Sequence, residues 1–271
     1  MKTNIYQIYY DDKTRHMLLP GFIPLDNSIN ARPDWFEFWV ILNFLRENPL
    51  EDGAWYGFLS PKFYEKTGFD ARFVLEMVEK YGENANVALF SPGWDQLSYF
   101  LNPFEQGEVW HPGLLPLSQK FIDSIHLNID LKSLVSDTSS SVFSNYVIAK
   151  KEFWVEWQRI AEAFFEYAEN NSEFKTHVSY GSVQNQYPMK TFIQERFASL
   201  ILSMGTFGVL TLDQSMTGQI FTRLFPNDIK TRRLLQSCDL MKSKYRETSN
   251  NKFIEMYWFL RKDINYSDIK F

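Results

Sequence analysis

Cysteine is almost absent from this 271-residue chain, and Cys238 alone cannot form an internal disulfide. Disulfide frameworks belong to oxidising compartments, so we expect a protein of the reducing cytoplasm. No segment approaches the roughly 18 uninterrupted apolar residues of a transmembrane helix. The residues after Met1 also lack the apolar core of a signal peptide.

Several motifs with well-understood chemistry are missing as well. The sequence contains no Gly-x-x-x-x-Gly-Lys-Ser/Thr loop, no Gly-x-Gly-x-x-Gly turn and no Gly-x-Ser-x-Gly elbow. The four histidines show no metal-ligand spacing, which argues against a zinc site. No two of the 33 acidic residues are separated by a single residue, so an Asp-x-Asp metal pair is absent too.

The net charge of −5 argues against nucleic acid as a partner. The charge is uneven, because residues 228–262 hold nine Lys or Arg and four acids. Such a basic tail on an acidic body is suited to peripheral contact with anionic lipid of an inner membrane. The alternative is a solvated helical face.

Apolar residues make up 45% of the chain and aromatic residues 17%, enough for a sizeable core. Aromatic rings either pack that core or line a groove for a flat or cyclic ligand. Apolar spacing predicts strands at 5–10, 87–90 and 142–148, and helices at 35–46, 71–81 and 189–204. A long helix is expected after the last strand, and helix again after Pro226.

This alternation predicts an α/β fold with a mixed sheet flanked by helices. We expect a core over residues 1–204 and a mainly helical C-terminal extension, packed on the core, over residues 205–271. Ligands of such sheets bind near the carboxyl ends of strands. The polar loops after Tyr10, Phe90 and Ile148 are therefore the expected places for a site.

Among the carboxylates, Glu195 is the strongest candidate for an acid–base role, because small residues surround it on its predicted helix. Its alternative is a structural ion pair. Asp137 opens a Ser-rich turn and is either a metal ligand or a turn-forming residue. An aromatic loop contains acids that could hold sugar hydroxyls beside ring faces, with a packed surface loop as the alternative. The candidates in this loop are Trp94, Asp95, Glu105, Glu108 and His111.

Three blocks of the chain resemble a known group of proteins. Residues 25–39, beginning Leu-Asp-Asn-Ser, are similar to the group's Asp-Asn block, and a Gly-containing strand and an aromatic-basic loop follow at 56–63. Residues 143–153 resemble its Asn-Met-Phe-Ile-Met-Lys-Lys run, and residues 192–200 its Ser-Glu-Arg-Leu helix. The group comprises bacterial capsule and lipopolysaccharide (O-antigen) glycosyltransferases with a GT-A-like fold, and the resemblance covers residues 5–204.

The chain departs from the group at two points. Phe36 replaces a cysteine of the first block, and residues 59–62, Leu-Ser-Pro-Lys, replace a His-Tyr-Arg-Arg loop. Residues 90–114 are more similar to a subset of uncharacterised proteins of polysaccharide loci. The donor sugar of the group is therefore not carried over.

The resemblance implies a GT-A-like, nucleotide-sugar-dependent transferase acting on a capsule, lipopolysaccharide or related glycan acceptor. It makes Glu195 and Asp95 the candidate catalytic acids. The remaining candidates for the donor site, some chosen for positive charge that suits a diphosphate, are Tyr9, Asp26, Asn27, Arg32, Glu37, Lys62, Asn145, Lys150 and Arg196. Trp94, Glu105, Glu108 and His111 are the acceptor candidates.

A divalent Mg or Mn ion would be held through Asp137, although no Asp-x-Asp pair supports it. Two other functions remain open. A non-catalytic carbohydrate-binding or assembly subunit of a polysaccharide locus would use the aromatic loops without a donor. A glycoside hydrolase would need two carboxylates across a groove.

Overall fold

The computed structural model describes residues 2–180, 182–205, 207–213 and 224–265. The strands are β1 (Thr3–Tyr9), β2 (Ile23–Asp26), β3 (Trp55–Leu59), β4 (Val87–Leu89), β5 (Val147–Lys150), β6 (His177–Tyr180), β7 (Ser182–Pro188) and β8 (Val209–Thr211). Six of them form one sheet in the order β2-β1-β3-β5-β4-β8, and β6 and β7 form a separate hairpin. The predicted α/β class with a mixed sheet is confirmed.

The direction of β5 makes the sheet mixed. β1 runs parallel to β2 and β3, and β4 runs parallel to β8. β5 lies between β3 and β4 and is antiparallel to both. Gly57 of β3 faces Ile148 so closely that a Cβ at this position would lie 2.8 Å from the Ile148 side chain. The centre of the sheet therefore tolerates no side chain there.

Helices flank the sheet, and two short 3-10 turns, Pro33–Trp35 and Ser172–Lys175, accompany them. The helices are α1 (Asp12–Arg15), α2 (Phe36–Glu47), α3 (Phe63–Thr67), α4 (Ala71–Tyr81), α5 (Trp94–Tyr99), α6 (Pro103–Trp110), α7 (Leu114–Ser124), α8 (Lys151–Asn170), α9 (Met189–Gln194), α10 (Phe197–Met204), α11 (Ile229–Thr248) and α12 (Asn251–Arg261). No helix of the described ranges is long and apolar enough to cross a membrane.

The helix predicted at 71–81 is confirmed together with its ends. The Asp70 carboxylate accepts a hydrogen bond from the Phe73 amide at 2.8 Å, which satisfies one of the free donors of the first turn. Val74 and Val78 are fully buried, and the helix ends at Gly82. Capping residues and apolar spacing were sufficient to predict this helix, since both signals lie within the helix itself or next to it in the sequence.

Two strand predictions needed correction. The strand expected at 142–148 begins only at Val147, because Ser144 and Asn145 adopt positive φ angles of 60° and 54° and form a turn. Strand β2 falls in a segment predicted as loop. It is a four-residue edge strand containing Pro24, a residue that edge strands accept, and it is too short for apolar alternation to predict a strand.

The described residues pack into two apolar cores. The larger one lies around the sheet and includes Trp154, Trp157 and Phe164 of α8. The smaller one joins α5 to the helical hairpin α11–α12 through Trp94 and Tyr257. The chain re-enters the sheet at β8, beyond the boundary drawn at residue 204. Among the described residues after 204, the helices are α11 and α12.

Candidate functional site

The site lies at one end of the strands of the sheet. Strands β1, β3 and β4, which run in the same direction, finish at this end, and the antiparallel strand β5 begins there. The Ser60 and Tyr146 hydroxyls are hydrogen bonded at 2.6 Å, and the Phe143 amide donates to the Ser91 hydroxyl at 2.8 Å. The loops after Tyr10 and Phe90 lie here, as predicted. The loop before β5 takes the place expected for the one after Ile148, because β5 runs the other way.

A cleft of about 410 Å³ opens beside these loops. Five of its lining residues come from distant parts of the chain: Lys66, Gln96, His111, Ser144 and Glu195. Clefts of this size bind small organic ligands, whose orientation is fixed by a few polar groups. The cleft is therefore the candidate site for a substrate.

Glu195 lies where the predicted helix 189–204 is interrupted. Helix α9 ends at Gln194 and α10 begins at Phe197. The Arg196 amide donates to the Ile193 carbonyl, three residues back, at 3.1 Å, so the backbone tightens into a turn. The turn places the half-buried Glu195 side chain on the cleft. Burial raises the pKa of Glu195, while Lys66 and Arg196 act to lower it.

Glu37 shares this electrostatic environment. It lies in the first turn of α2 and is half-buried. Burial raises the pKa of Glu37 to about 7; Lys66 and Lys62 oppose the shift, and the Glu195 carboxylate adds to it. The fold thus brings together three residues predicted for one site, Glu37, Lys62 and Glu195. A carboxyl that titrates near neutrality is typical of acid–base chemistry.

Lys66 was missed by sequence reasoning although it acts on both carboxyl groups. Its ammonium donates to the Ser144 hydroxyl at 3.1 Å and lies 5.7 Å from the centre of the Tyr146 ring. The only local signal is its spacing of four residues from Lys62, which places both lysines on one side of α3. Lys66 is the cation that connects the two acids to the turn before β5.

Asn145, a predicted donor residue, lies at this turn and is buried. Its amide nitrogen donates to the Gln194 side chain at 3.1 Å, which ties the turn to the residue before Glu195. Among the described residues its side-chain oxygen accepts no hydrogen bond. Asn145 therefore supports the floor of the site and retains one free acceptor.

Arg196 lines the cleft, but it is buried and its guanidinium is bound by groups of the protein. Its guanidinium donates to the Pro103 carbonyl at 2.8 Å, to the Gln106 side chain at 2.9 Å and to the Phe192 carbonyl. Burial lowers the pKa of Arg196 to about 10, and Glu195 opposes this shift. Arg196 thus locks the turn that holds Glu195 against α6 and adds positive potential to the cleft wall.

One wall of the cleft is aromatic. The His111 and Phe192 rings stack with centroids 3.6 Å apart, and both residues line the cleft. Flat apolar faces beside polar groups suit the face of a sugar or a base. Of the four predicted acceptor residues, His111 is the one that the fold brings to the cleft.

The other acidic candidates of the aromatic loop have structural contacts. Glu105 accepts from the Leu101 amide at 2.6 Å and from Arg261 at 2.9 Å. Glu108 accepts from the amides of Gly113 and Leu115 at 2.9 and 2.8 Å and so caps α7. Both carboxylates stabilise helix ends, and the fold does not place them among the residues that line the cleft.

Trp94 and Asp95 are both buried, so neither side chain faces the cleft. Trp94 belongs to the smaller core, which rules out stacking on a sugar. Burial raises the pKa of Asp95 to about 7, and backbone amides of α5 oppose the shift. The fold therefore does not give Asp95 access to the cleft.

Three donor candidates lie together on β1 and β2, outside the residues that line the cleft. Tyr9 pairs with Asp26 across the two strands, and the Asn27 amide donates to the Tyr9 carbonyl at 2.8 Å. Hydrogen bonds from Ser28, and then from Tyr9, lower the pKa of Asp26. These residues hold the strand edge together through contacts with one another.

Arg32 and Lys150 are placed elsewhere. Arg32 makes an ion pair with Asp34 at 3.0 Å and with Glu169 at 2.8 Å. Lys150 is the last residue of β5 and so lies at the opposite end of the strands from the site, with its ammonium 5.2 Å from the Trp55 ring centre. The fold therefore does not bring Arg32 or Lys150 to the cleft.

Asp137 is held in a structural network. Its Oδ1 atom accepts from the hydroxyls of Ser139 and Ser140 at 2.8 and 2.7 Å, with Arg246 at 3.4 Å. Burial opposes ionisation, but Arg246 and the two hydroxyls outweigh it and lower the pKa of Asp137. In the described part of the chain no three His, Cys, Asp or Glu side chains come together. These residues do not fit the Mg or Mn site proposed at Asp137.

The site combines two carboxyl groups of raised pKa, one lysine that acts on both of them, and an aromatic wall. Such groups can accept a proton from a hydroxyl and hold a ring with an anionic substituent. Comparisons of the chain with protein families, with curated proteins and with solved structures give no significant match.

Proposed function

We propose that the chain is a glycosyltransferase that transfers a sugar from a nucleotide-sugar donor to a hydroxyl of a capsule, lipopolysaccharide or related glycan. The observation that carries the proposal is the placement of Glu195 and Lys66 on the cleft, with the Glu37 carboxyl in the same charge environment. The ordered blocks of sequence resemblance agree with it. A GT-A-like arrangement of the mixed sheet and a cytoplasmic location are parts of the same proposal.

Glu195 is the proposed general base of an inverting transfer. Its carboxylate takes the proton of the acceptor hydroxyl while the acceptor oxygen bonds to the anomeric carbon, and the nucleoside diphosphate leaves with the electrons of the broken bond. Its raised pKa makes it a better base than an exposed glutamate. Glu37 shares its charge environment and would bind donor hydroxyls.

The departing diphosphate needs positive charge. Lys66 lies on the cleft and Lys62 precedes it by one helical turn, so both ammonium groups can reach an anionic group bound there. Arg196 contributes potential from behind the cleft wall. In the proposed transfer these three residues stabilise the negative charge of the departing diphosphate.

The test uses the full-length protein and a panel of nucleotide sugars that differ in base and sugar. We expect at least one donor to raise the melting temperature and to release its nucleoside diphosphate faster when a glycan acceptor is present. Failure of all nucleotides and nucleotide sugars to bind would overturn the proposal. Cleavage of an oligosaccharide without nucleotide would identify a glycoside hydrolase instead.

A second candidate is a non-catalytic carbohydrate-binding subunit, favoured by the stacked His111 and Phe192 rings of the cleft wall. It predicts saturable oligosaccharide binding that loses affinity in Phe192→Ala, with no affinity for any donor. The donor panel separates this function from transfer.

A further inference from the structure

The two C-terminal helices, α11 and α12, form an antiparallel hairpin with its turn at Ser249 and Asn250. The start of α11 and the end of α12 therefore lie together at the open end of the hairpin. Its inner face packs on α5 through the smaller core, in which Leu235 and Tyr257 are fully buried. The outer face carries exposed basic side chains and aromatic rings.

Three of the basic residues of the hairpin serve its docking on the core. The buried Lys242 ammonium donates to the carbonyls of Leu97 and Phe100 at 2.5 and 2.7 Å. Arg246 and Arg261 pair with the carboxylates of Asp137 and Glu105. These three cations already have partners on the core, so the unpaired positive charge of the outer face must come from other residues.

Four exposed basic residues of the hairpin make no ion pair within the described ranges: Lys230, Arg233, Lys252 and Lys262. Of the acids nearby, Asp228 caps α11 through the Thr231 amide at 2.9 Å, Glu255 is exposed on α12, and Asp263 is exposed just after α12. Three of the four cations, Lys230, Arg233 and Lys262, collect at the open end. The N-terminus of α11 adds positive potential there.

Apolar side chains are exposed on the same hairpin. Of the thirteen large apolar residues exposed in the described chain, five lie on α11 and α12: Ile229, Leu240, Met256, Trp258 and Phe259. Phe259 and Ile229 are each 64% exposed. On α12 the spacing Lys252, Met256, Phe259 and Lys262 places two apolar side chains between two lysines on one face.

We propose that the outer face and open end of this hairpin bind the surface of an anionic lipid bilayer. The Trp258 and Phe259 rings and the Met256 side chain would enter the boundary between headgroups and acyl chains. The exposed lysines would then pair with the lipid phosphates. An apolar groove of a protein partner would leave the flanking lysines desolvated, whereas a lipid surface satisfies both kinds of group. The inference is independent of the proposed catalysis.

The test is sedimentation of the full-length protein with vesicles of phosphatidylcholine alone, and with phosphatidylglycerol added at roughly one part in three. We expect binding only to the anionic vesicles, weakened by salt. Met256→Ser with Phe259→Ser should bind about ten-fold more weakly. Lys230→Glu with Arg233→Glu should abolish the preference for the anionic lipid.

Val155→Ser and Lys132→Glu are the matched controls, since both residues are exposed on other parts of the surface, and they should bind vesicles like the unchanged chain. Circular dichroism verifies the fold of each variant. Absence of binding to anionic vesicles would overturn the proposal, as would equal losses in the controls. A lipid-independent dimer abolished by the Met256 and Phe259 changes would assign this face to a second copy of the chain.

Discussion

A Cβ atom on Gly107 would lie 2.6 Å from the Nε atom of Arg196. Gly107 is buried within α6, where glycine is otherwise unfavourable, and the guanidinium of Arg196 occupies the space that a side chain would fill. The same guanidinium holds the turn that carries Glu195. The glycine and the position of the candidate base are therefore linked through one buried cation.

Gly107→Ala should displace Arg196 and with it the turn at Glu195. Alanine favours the helix by up to about 1 kcal/mol, but overpacking against Arg196 costs more. We therefore expect a net loss of roughly 1–2 kcal/mol in unfolding free energy. Donor turnover should fall by about ten-fold or more, because small displacements of a base are costly. Val109→Ala, on the exposed side of α6, is the control, and wild-type stability in Gly107→Ala would contradict the linkage.

Glu195→Gln should abolish transfer with little effect on melting temperature. The amide keeps the shape of the side chain but cannot accept the proton of the acceptor. In the unchanged protein the rate of the proposed transfer should decrease as the pH falls through the raised pKa of Glu195, because protonation removes the base. Turnover and thermal unfolding measure the two effects. A loss of stability beyond about 2 kcal/mol would mark Glu195 as structural.

Lys66→Met should weaken donor binding by about ten-fold or more, since in the proposed transfer this cation binds the diphosphate. Binding of a nucleotide sugar measured by calorimetry provides the readout, and the acceptor affinity should change less. Lys80→Met, on α4, serves as the control for an exposed lysine. Unchanged donor affinity in Lys66→Met would place the diphosphate elsewhere.

Glu37 predicts a pH dependence of stability. Its pKa is raised from 4.5 to about 7, so between these values the folded state holds a proton that the unfolded state has released. Stability therefore falls as the pH rises through this window. Glu37→Gln should match the unchanged protein near pH 4 and exceed it by on the order of 1–3 kcal/mol at pH 8.

Urea denaturation at several pH values measures this difference, with Glu79→Gln on the exposed side of α4 as the control. A constant difference between Glu37→Gln and the unchanged protein across pH 4–8 would contradict the raised pKa of Glu37.

Asp34 and Lys190 predict the opposite pH dependence. The buried Lys190 ammonium lies 2.5 Å from the Asp34 carboxylate. Burial opposes ionisation of Asp34, but Arg32 and Lys190 outweigh it and lower the pKa to about 2. The stabilisation is thus present above pH 3.8 and is lost as the pH falls toward 2.

Asp34→Asn should cost about 1–3 kcal/mol at pH 7, because it leaves Lys190 with a weaker partner. The deficit should shrink in acid, as followed by thermal unfolding. Asp52→Asn removes a surface ion pair with Lys151 and should have almost no effect. Equal effects of the two substitutions would mean that burial of Lys190 does not matter.

Sequence patterns located the elements whose signals are local, such as the helix between Asp70 and Gly82. They failed where a distant contact decides the conformation. The turn at Ser144 and Asn145 depends on Lys66 and Gln194, which lie far away in the sequence. The helix break at Glu195 depends on Arg196 reaching α6.

The candidate site shows the same division. Glu195, Glu37 and Lys62 were predicted and lie together, whereas Lys66 became visible only through its neighbours. Glu105 and Glu108 had suitable chemistry, but backbone amides and Arg261 already occupy their oxygens. A sequence shows which side chains can bind a ligand, but their existing partners depend on the fold.

The antiparallel strand β5 also has a consequence for synthesis. It pairs with β3, about 90 residues earlier in the chain, and the turn that precedes it forms one side of the cleft. Glu195 follows another 45 residues or so later. A nascent chain therefore has no complete cleft until Glu195 has left the ribosome, and under the proposed function a fragment ending before Glu195 would bind no donor. Non-local pairing of this kind also slows folding.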